Sequence, residues 1–535
     1  MTNGPHDILV VGAGPTGLSL AAQLAEFGVA SRVIDRGQDR VHESRALAIQ
    51  PRTLEVLAVL GVTDQLVANG NPAAQLRLHV RGRELAVPLF DLGLDDTAYP
   101  YLLFLSQAET ERILEVHLAA AGVTVERGVE LVDLTTTADA VVAMLRRRDG
   151  QEESVSARYV VGCDGAHSTV RRAGGIAFTG GAYPQTFILA DAEADGIEPG
   201  AAHVFLSGNG MLFFFPLGKP ATWRLLAMRP PTDPTPPEAP VTLDEVQAIA
   251  DAYTHASVRL RDPVWLTNFR LHHRGATHYR AGRVFLAGDA AHIHSPAGAQ
   301  GMNTGIQDAT NLGWKLAHTV RGLTHPAVLD TYEPERAPVG RTVLRFTDRA
   351  FTIATSTNPI LRFARTRVAP VVIPLAVKAK TGRAYFFRTV SQLGIHYRHS
   401  PLSVNSPNAP RRGPRAGDRL PDAPIVHNGQ PSTVHAATAA PGWQLLLCGP
   451  VDAWPTAMTN HIGTRHAGLL TVHHLTAQPT PGTLSDQRGQ ALRRLGLTPD
   501  DTAQYLIRPD GHVGYRAGGN DLTGLARYLG RWLSA

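Results

Sequence analysis

Three side chains in the stretch GDAAHIHSPAGAQGMN, residues 288–303, carry atoms that can do chemistry. Asp289, His292 and His294 bring one carboxylate and two imidazoles close together, the donor types of a metal centre. The same stretch is rich in small residues, with Ala297, Gly298, Ala299 and Gly301 ahead of a helical pattern that starts near Gly301. A small-residue loop running into a helix can instead lay backbone amides against an anionic ligand. The first amides of a helix lack internal partners, and the positive end of its dipole lies there. No second group of ligands elsewhere completes a metal shell, and Cys163 and Cys448 form no CxxC pair. The loop reading is therefore favoured and no metal is expected. His292 and His294 then read as structural, one capping or packing and the other facing a cleft.

A second glycine-rich loop opens the chain. In HDILVVGAGPTGLSLAAQLAEFGVASRVID, an apolar strand leads into Gly12, Gly14 and Gly17 as GxGxxG, with Pro15 and Thr16 between them. An Ala/Leu-rich helix follows to about Phe27, and a second strand ends at Asp35, with Arg36 beyond it. The three glycines allow a tight turn, close approach of a pyrophosphate, and close packing of helix on strand. Asp35 stands where a carboxylate accepts ribose hydroxyls, and it would repel a 2′-phosphate. Strand, glycines, helix, strand and acid come in the order that dinucleotide binding requires. The bound nucleotide is expected to be FAD or NAD.

Two further strand-to-turn elements follow. RYVVGCDGAHSTVRR (158–172) places Asp164 and Gly165 at a turn with Arg171 beyond, and GRVFLAGDAAH (282–292) places Asp289 likewise. Between the first and second elements, FLSQAETERILEVHL reads as a helix carrying Gln107, Glu109 and Arg112. Together with ESRALAIQPRTLEVL (43–57), these motifs cover residues 1 to about 395. The chain resembles the single-component, FAD-dependent aromatic hydroxylases (class A flavoprotein monooxygenases), and within them those acting on phenols and aromatic polyketides.

The resemblance implies an α/β fold: a Rossmann-like FAD-binding domain of the para-hydroxybenzoate hydroxylase type, an interleaved β-sheet substrate domain, and a thioredoxin-like C-terminal domain. The FAD-binding parts would be 1–74, 101–176 and 275–395, the substrate domain 75–100 and 177–274, and the C-terminal domain with its linker 396–535. It implies that Arg45 and Gln107 contact the FAD pyrophosphate. Asp164 would serve FAD and a passing nicotinamide, and Asp289 would bind the ribityl chain. The loop from Pro296 through Gly298, Ala299, Gln300, Gly301, Met302 and Asn303 would pass beside the isoalloxazine. Family members usually have glycine where Ala299 stands here. The implied reaction is oxidation of a polycyclic phenol or quinone through a flavin C4a-hydroperoxide, with NADPH or NADH as transient reductant and O2 as oxidant. Baeyer–Villiger insertion or oxidative ring rearrangement uses almost the same residues, and a flavin-binding scaffold without turnover is the non-enzymatic alternative.

These motifs need elements to hold them. At 535 residues the chain is too long for one compact core, and roughly three domains are expected. Hydrophobic residues at 43% and charged residues at 18% describe an ordinary globular protein. The net charge of +5 suits an anionic or phenolic ligand, while the scattered arginines argue against nucleic acid. No signal peptide is legible, and the apolar run VAPVVIPLAV (368–377) is far short of the roughly 20 residues a membrane span needs. A cytoplasmic monomer or homodimer acting on a small aromatic molecule, without membrane or nucleic-acid partners, is expected.

Residues 177–274, with 75–100, read as strands forming a roof over the substrate. Alternation puts Phe213 and Phe215 on one face and Leu212 and Phe214 on the other. Leu212, Phe214 and Arg224 are the candidate substrate contacts. In the para-hydroxybenzoate hydroxylase branch a tyrosine just before the matching proline helps deprotonate the substrate. Here LFFF precedes Pro216, so that proton relay is missing and any base is unassigned. Cys448, without a CxxC partner, gives the C-terminal domain no dithiol chemistry.

Overall fold

The computed structural model describes residues 6–40, 46–73, 75–80, 83–88, 94–207, 210–217, 221–229, 239–295, 297–355, 358, 363, 367–368 and 387–534. Arg45, Pro296 and positions 369–377 of the apolar run lie outside the described residues.

The run ILVV forms the strand His6–Val11, whose Ile8, Leu9 and Val10 are fully buried. Such a continuous apolar run is what a parallel strand covered on both faces requires. It pairs in parallel with Ser31–Asp35 on one side and Glu152–Gly162 on the other. Val125–Arg127 and Val284–Leu286 extend the parallel sheet outward. An antiparallel meander of Val129–Thr136 and Val141–Arg147 joins Glu152–Gly162, and Arg280–Ala281 closes one edge. Helices Pro15–Glu26 and Gly301–Val320 pack closely against each other. Two glycines set that closeness: a Cβ at Gly305 would lie 2.3 Å from Thr16 Oγ1, and one at Gly313 would lie 2.7 Å from Gln23 Cβ.

The second sheet has eight strands in the order His292–Ile293, Arg259–Ala276, Phe178–Asp195, Trp223–Met228, Gly210–Pro216, Ala202–Ser207, Gln75–Val80 and Arg83–Pro88. Neighbours are antiparallel except Ala202–Ser207 and Gln75–Val80. The middle region departs from an all-strand reading at one element, the helix Leu243–Thr254. Thr242 and Glu245 form a reciprocal capping box that starts it, a signal carried in the sequence as TLDE. The helix lays Val246 and Ala250 onto one face of the sheet, against Leu212, Phe214, Trp223 and Leu225.

The third sheet, also eight-stranded, is thioredoxin-like. Trp443–Cys448, helix Thr456–Arg465 and Leu470–Thr476 form a parallel crossover, and Ala503–Ile507 with Val513–Gly518 form an antiparallel hairpin beside it. Its apolar face is continuous with the core of the first unit. Trp314 of helix Gly301–Val320 meets Trp443 edge-on at 5.5 Å, and Trp443 in turn meets Tyr528 at 6.3 Å. Cys163 and Cys448 are both free and buried. Among the described residues no helix is long and apolar enough to cross a membrane.

Candidate active site

The first glycine loop is built by backbone sterics. Gly12 has φ +102°, donates its amide to Ile34 O at 2.8 Å, and a Cβ there would fall 2.4 Å from Cys163 O. A Cβ at Gly17 would lie 1.9 Å from Gly12 O, so Gly17 lets the helix close onto the turn. Gly14 is different: within 4 Å its missing Cβ would meet only Glu111 Oε1, at 3.9 Å. The helix that follows begins with Pro15, has no side-chain cap and carries no acid in its first turn. Its free amides and the space over Gly14 fit a pyrophosphate. Thr16 is taken up by packing against Gly288 and Gly305.

Asp35 ends its strand as the sequence predicts. Its Oδ2 accepts from Ala13 N and its Oδ1 from Gly37 N, both at 2.7 Å, which fixes the carboxylate beside the glycine turn. Arg36 is exposed. Gln107 begins the helix Gln107–Ala120 and donates to Glu111 Oε1 at 2.8 Å. Glu111 is a residue the sequence reading missed. It is 1% exposed, and burial pushes its carboxyl up to about 7. A carboxyl facing a phosphate site is least repulsive when protonated, which this shift favours.

Asp164 closes a helix end. Its Oδ2 accepts from the amides of Thr169 and Val170 and its Oδ1 from Ser168 Oγ, so it caps Thr169–Ala173. Arg171 donates to Ala290 O at 2.8 Å and to Ala166 O at 2.9 Å, tying this turn to the Asp289 turn. Asp289 lies exposed in the 3-10 turn Gly288–Ala290.

The second loop is held by side chains from several elements. Gly298 has φ +75° and Ala299 φ +53°, so a left-handed conformation that glycine adopts freely is here imposed on an alanine. Gln50 Nε2 donates to Gly298 O at 2.8 Å. Asn303, fully buried, accepts from Gln50 N and donates to Ala48 O and Ala299 O. Gln300 donates to Val390 O and accepts from Gln392 Nε2 at 2.6 Å. The side chains of Gln300 and Asn303 thus serve the loop itself. The helix Gly301–Val320 has no side-chain cap and no acid in its first turn, so its first backbone amides could hold an anionic group. Gly301 and Met302 are part-buried there.

His292 and His294 do not form a metal cage with Asp289. Both ring nitrogens of His292 are used, Nε2 with Asp308 Oδ2 at 2.6 Å and Nδ1 with His294 Nε2 at 2.9 Å. Among the described residues no group of three or more His, Cys, Asp or Glu gathers to hold a metal. Burial pushes the Asp308 carboxyl up, but Arg336 and His292 outweigh it and hold it below the usual carboxylate range.

The roof reading requires a correction. Alternation along 212–215 holds, yet Leu212 and Phe214 are fully buried against helix Leu243–Thr254, on the face turned away from the loop. The face that meets the loop carries Phe215, which clusters with Ala48, Phe104 and Ala299. Phe213 stacks on Phe215 at 5.4 Å, and Phe104 lies 5.8 Å from it. Sequence alternation separates two faces without saying which is covered. The capped helix, unrecognised in the sequence, decided that. Arg224, level with Phe215 in the register, makes a bidentate pair with Asp191, both bonds 2.6 Å.

Comparison with known proteins bears on this arrangement. Residues 6–347 match the FAD binding domain family, and residues 413–535 match the family described as aromatic-ring hydroxylase, C-terminal. The chain is 37% identical to 6-methylpretetramide 4-monooxygenase of Streptomyces rimosus, over 97% of this chain and 93% of that protein. It is 32% identical to pentachlorophenol 4-monooxygenase of Sphingobium chlorophenolicum, over 96% of this chain and 94% of that one. Among solved structures, anhydrotetracycline hydroxylase from Streptomyces rimosus superposes with a TM-score of 0.78 at 30% identity, covering 99% and 100% of the two chains. Aklavinone-11 hydroxylase, in a ternary complex with FAD and aklavinone, superposes with a TM-score of 0.80 at 27% identity, covering 99% of each.

Proposed function

Since the chain belongs to the FAD-dependent aromatic-ring hydroxylases and is a flavin-dependent monooxygenase, we propose that it oxidises a polycyclic phenol or quinone of polyketide type, with NADPH or NADH as reductant and O2 as oxidant. The observation that carries the substrate class is the composition of the roof. Phe215 and Phe213, stacked on each other and backed by the buried Phe104 beside Ala299, offer an apolar surface, and the nearby cation of Arg224 is paired with Asp191. A planar polycycle gains by burying its faces there, whereas for a small benzoate the Arg224 cation is already taken by Asp191. The names of the relatives, a pretetramide monooxygenase and an aklavinone hydroxylase, point to the same chemical class.

In this reading the space over Gly14 and the free amides of helix Pro15–Glu26 hold the FAD pyrophosphate, with Gln107 beside it. Asp35 takes the adenosine ribose, and Asp289, exposed at its turn, takes the ribityl chain. The amides at the start of Gly301–Val320 would hold the pyrimidine edge of the flavin, where a helix N-terminus stabilises negative charge. Bound FAD supplies the reduction of O2 and the transfer of one of its oxygens to the ring. The protein's own work is orientation and dryness. The aromatic cluster over the loop keeps water from the reacting face, and the tethers from Gln50, Asn303 and Gln392 keep the loop in place.

The test is a panel of aromatics. Polycyclic hydroxyquinones are expected to accelerate NADPH oxidation well beyond para-hydroxybenzoate or phenol, with product mass under labelled O2 separating hydroxylation from ring insertion. Equal stimulation by the simple phenols would overturn the substrate class.

A further inference from the structure

Phenol oxidation is helped by removing the ring hydroxyl's proton, and Leu212, Phe213, Phe214 and Phe215 offer no hydroxyl for that task. The structure holds a different candidate just ahead of the second loop. Asp308, His292 and His294 form an unbroken line: Asp308 Oδ2 to His292 Nε2 at 2.6 Å, then His292 Nδ1 to His294 Nε2 at 2.9 Å. The outer nitrogen, His294 Nδ1, is sealed from solvent and has no hydrogen-bond partner among the described residues. A buried acceptor left without a partner is costly and calls for a reason.

We propose that His294 is the base that takes the proton of the substrate's ring hydroxyl, with His292 and Asp308 behind it as a relay. The proposal rests on the reading of the site as one that oxidises a hydroxylated ring.

The hydrogen-bond pattern sets the direction of transfer. Asp308 also accepts from Gly288 N and from Arg336 Nε, so its ionised carboxylate accepts from His292 Nε2–H. With His292 neutral, its Nδ1 accepts from His294 Nε2–H, and His294 Nδ1 is left with a free lone pair. In the step, the substrate O–H bond breaks and an N–H bond forms at His294 Nδ1. The His294 Nε2–H bond then breaks as one forms at His292 Nδ1. The positive charge comes to rest on His292, against the Asp308 carboxylate, and no electrons change hands. Burial pushes the His294 imidazole well below its ordinary range, so a cation is disfavoured on His294 itself.

The surroundings suit a relay. Arg336 holds Asp308 at 2.6 Å and donates to Tyr397 Oη at 2.8 Å. The Tyr279 ring lies 5.9 Å from His292, and a Cβ at Gly340 would meet both Tyr279 and His292, so helix Tyr332–Thr355 is cut away to admit them. On the other side Tyr183 donates to Asp348 at 2.7 Å, and Arg274 sits opposite Ile293 in the sheet.

The experiment uses the oxidised holoenzyme without reductant and 2-hydroxyanthraquinone, whose phenolate absorbs at longer wavelength than the neutral phenol. Difference spectra across pH report ionisation of the bound ligand, and quenching of flavin fluorescence reports binding separately. The wild type is expected to ionise the bound ligand about one pH unit below the free ligand, a tenfold effect. His294→Gln, which keeps a donor toward His292, and His294→Asn, which places an amide near the Nδ1 position, are both expected to lose that shift while retaining FAD. Bound ligand that ionises at the same pH in wild type and in either folded variant would overturn the relay alone. Failure of the wild type to bind the ligand at all would overturn the substrate class and the relay with it.

Discussion

The two loops that lead into uncapped helices, at 12–17 and at 297–301, are alike in purpose and opposite in construction. In the first, glycine backbone meets backbone: Gly12 against Cys163 and Gly17 against Gly12, with no room for a methyl group. In the second, an alanine occupies a left-handed conformation, and side chains from residues 50, 303 and 392 hold it there. A Cβ at Gly298 would meet nothing closer than the Gln300 side chain at 3.3 Å, and one at Gly301 nothing within 4 Å. The first loop is therefore rigid by local sterics. The second is rigid only while its tethers are made, and in the proposed site it is the one that presents amides to the reacting end of the flavin.

Breaking the first loop should have the largest effect. Gly12→Ala adds a Cβ 2.4 Å from Cys163 O at φ +102°, and a loss of at least ~3 kcal/mol is expected. Thermal melts and FAD content of the purified protein would read it; a variant of unchanged Tm that keeps its FAD would show that the turn has slack.

The wall of the same loop offers the next test. The folded-state pKa of Glu111 is raised from 4.5 to about 7 by burial, so ionising it costs the folded state. Stability from this group is fully present below about pH 4.5 and is lost as pH rises through about 7. Glu111→Gln does not titrate and still accepts from Gln107. The apoprotein variant should gain on the wild type between those pH values, by up to ~3 kcal/mol above pH 7. Melts of both proteins at pH 5 and pH 8 would check this; an equal difference at the two pH values would show that Glu111 does not titrate on folding.

Loosening the second loop should cost less. Gln392 donates to Gln300 Oε1 and Thr304 Oγ1 and accepts from Gln307 Nε2, all in a buried setting. Gln392→Ala leaves those partners short of bonds, at about 1–3 kcal/mol. Its mark should be a weakened hold on the flavin, read as higher FAD fluorescence and faster FAD loss on dilution, with little change at the pyrophosphate end. The smallest effect is expected from Ala299→Gly. Relief of about 1 kcal/mol of left-handed strain is offset by a more flexible unfolded chain and a lost methyl contact with the Phe215 cluster. Calorimetry should find a change near zero, and a loss above ~2 kcal/mol would mean that the methyl is a main support of the roof.

Much of this was legible before any coordinates. Gly12, Gly14, Gly17 and Asp35 lie in order in one segment, and that order is legible even though Gly12 packs against the distant Cys163. The helix from Gly301 and the alternation of 212–215 were legible too, because local periodicity carries them. Glu111 was missed, although it lies one turn beyond Gln107, because its raised carboxyl comes from burial and no spacing announces burial. Leu212 and Phe214 were placed on the wrong side because alternation is symmetric. Only the packing of Leu243–Thr254 tells the two faces apart.

By itself, then, the sequence determined the glycine turn, the α/β order and the family, all of which are written in motifs whose residues lie near each other along the chain. Tertiary structure alone decided how the second loop is held, which aromatic face looks inward, and what His292 and His294 bond to. Gln392 reaches Gln300 across 92 positions, Asn303 meets Ala48 across 255, and Arg336 meets Asp308 from a different helix. Contacts over such separations leave no periodic trace in the sequence. They exist only once the sheets and helices have been brought together, because a hydrogen bond between distant residues has no local propensity to record it.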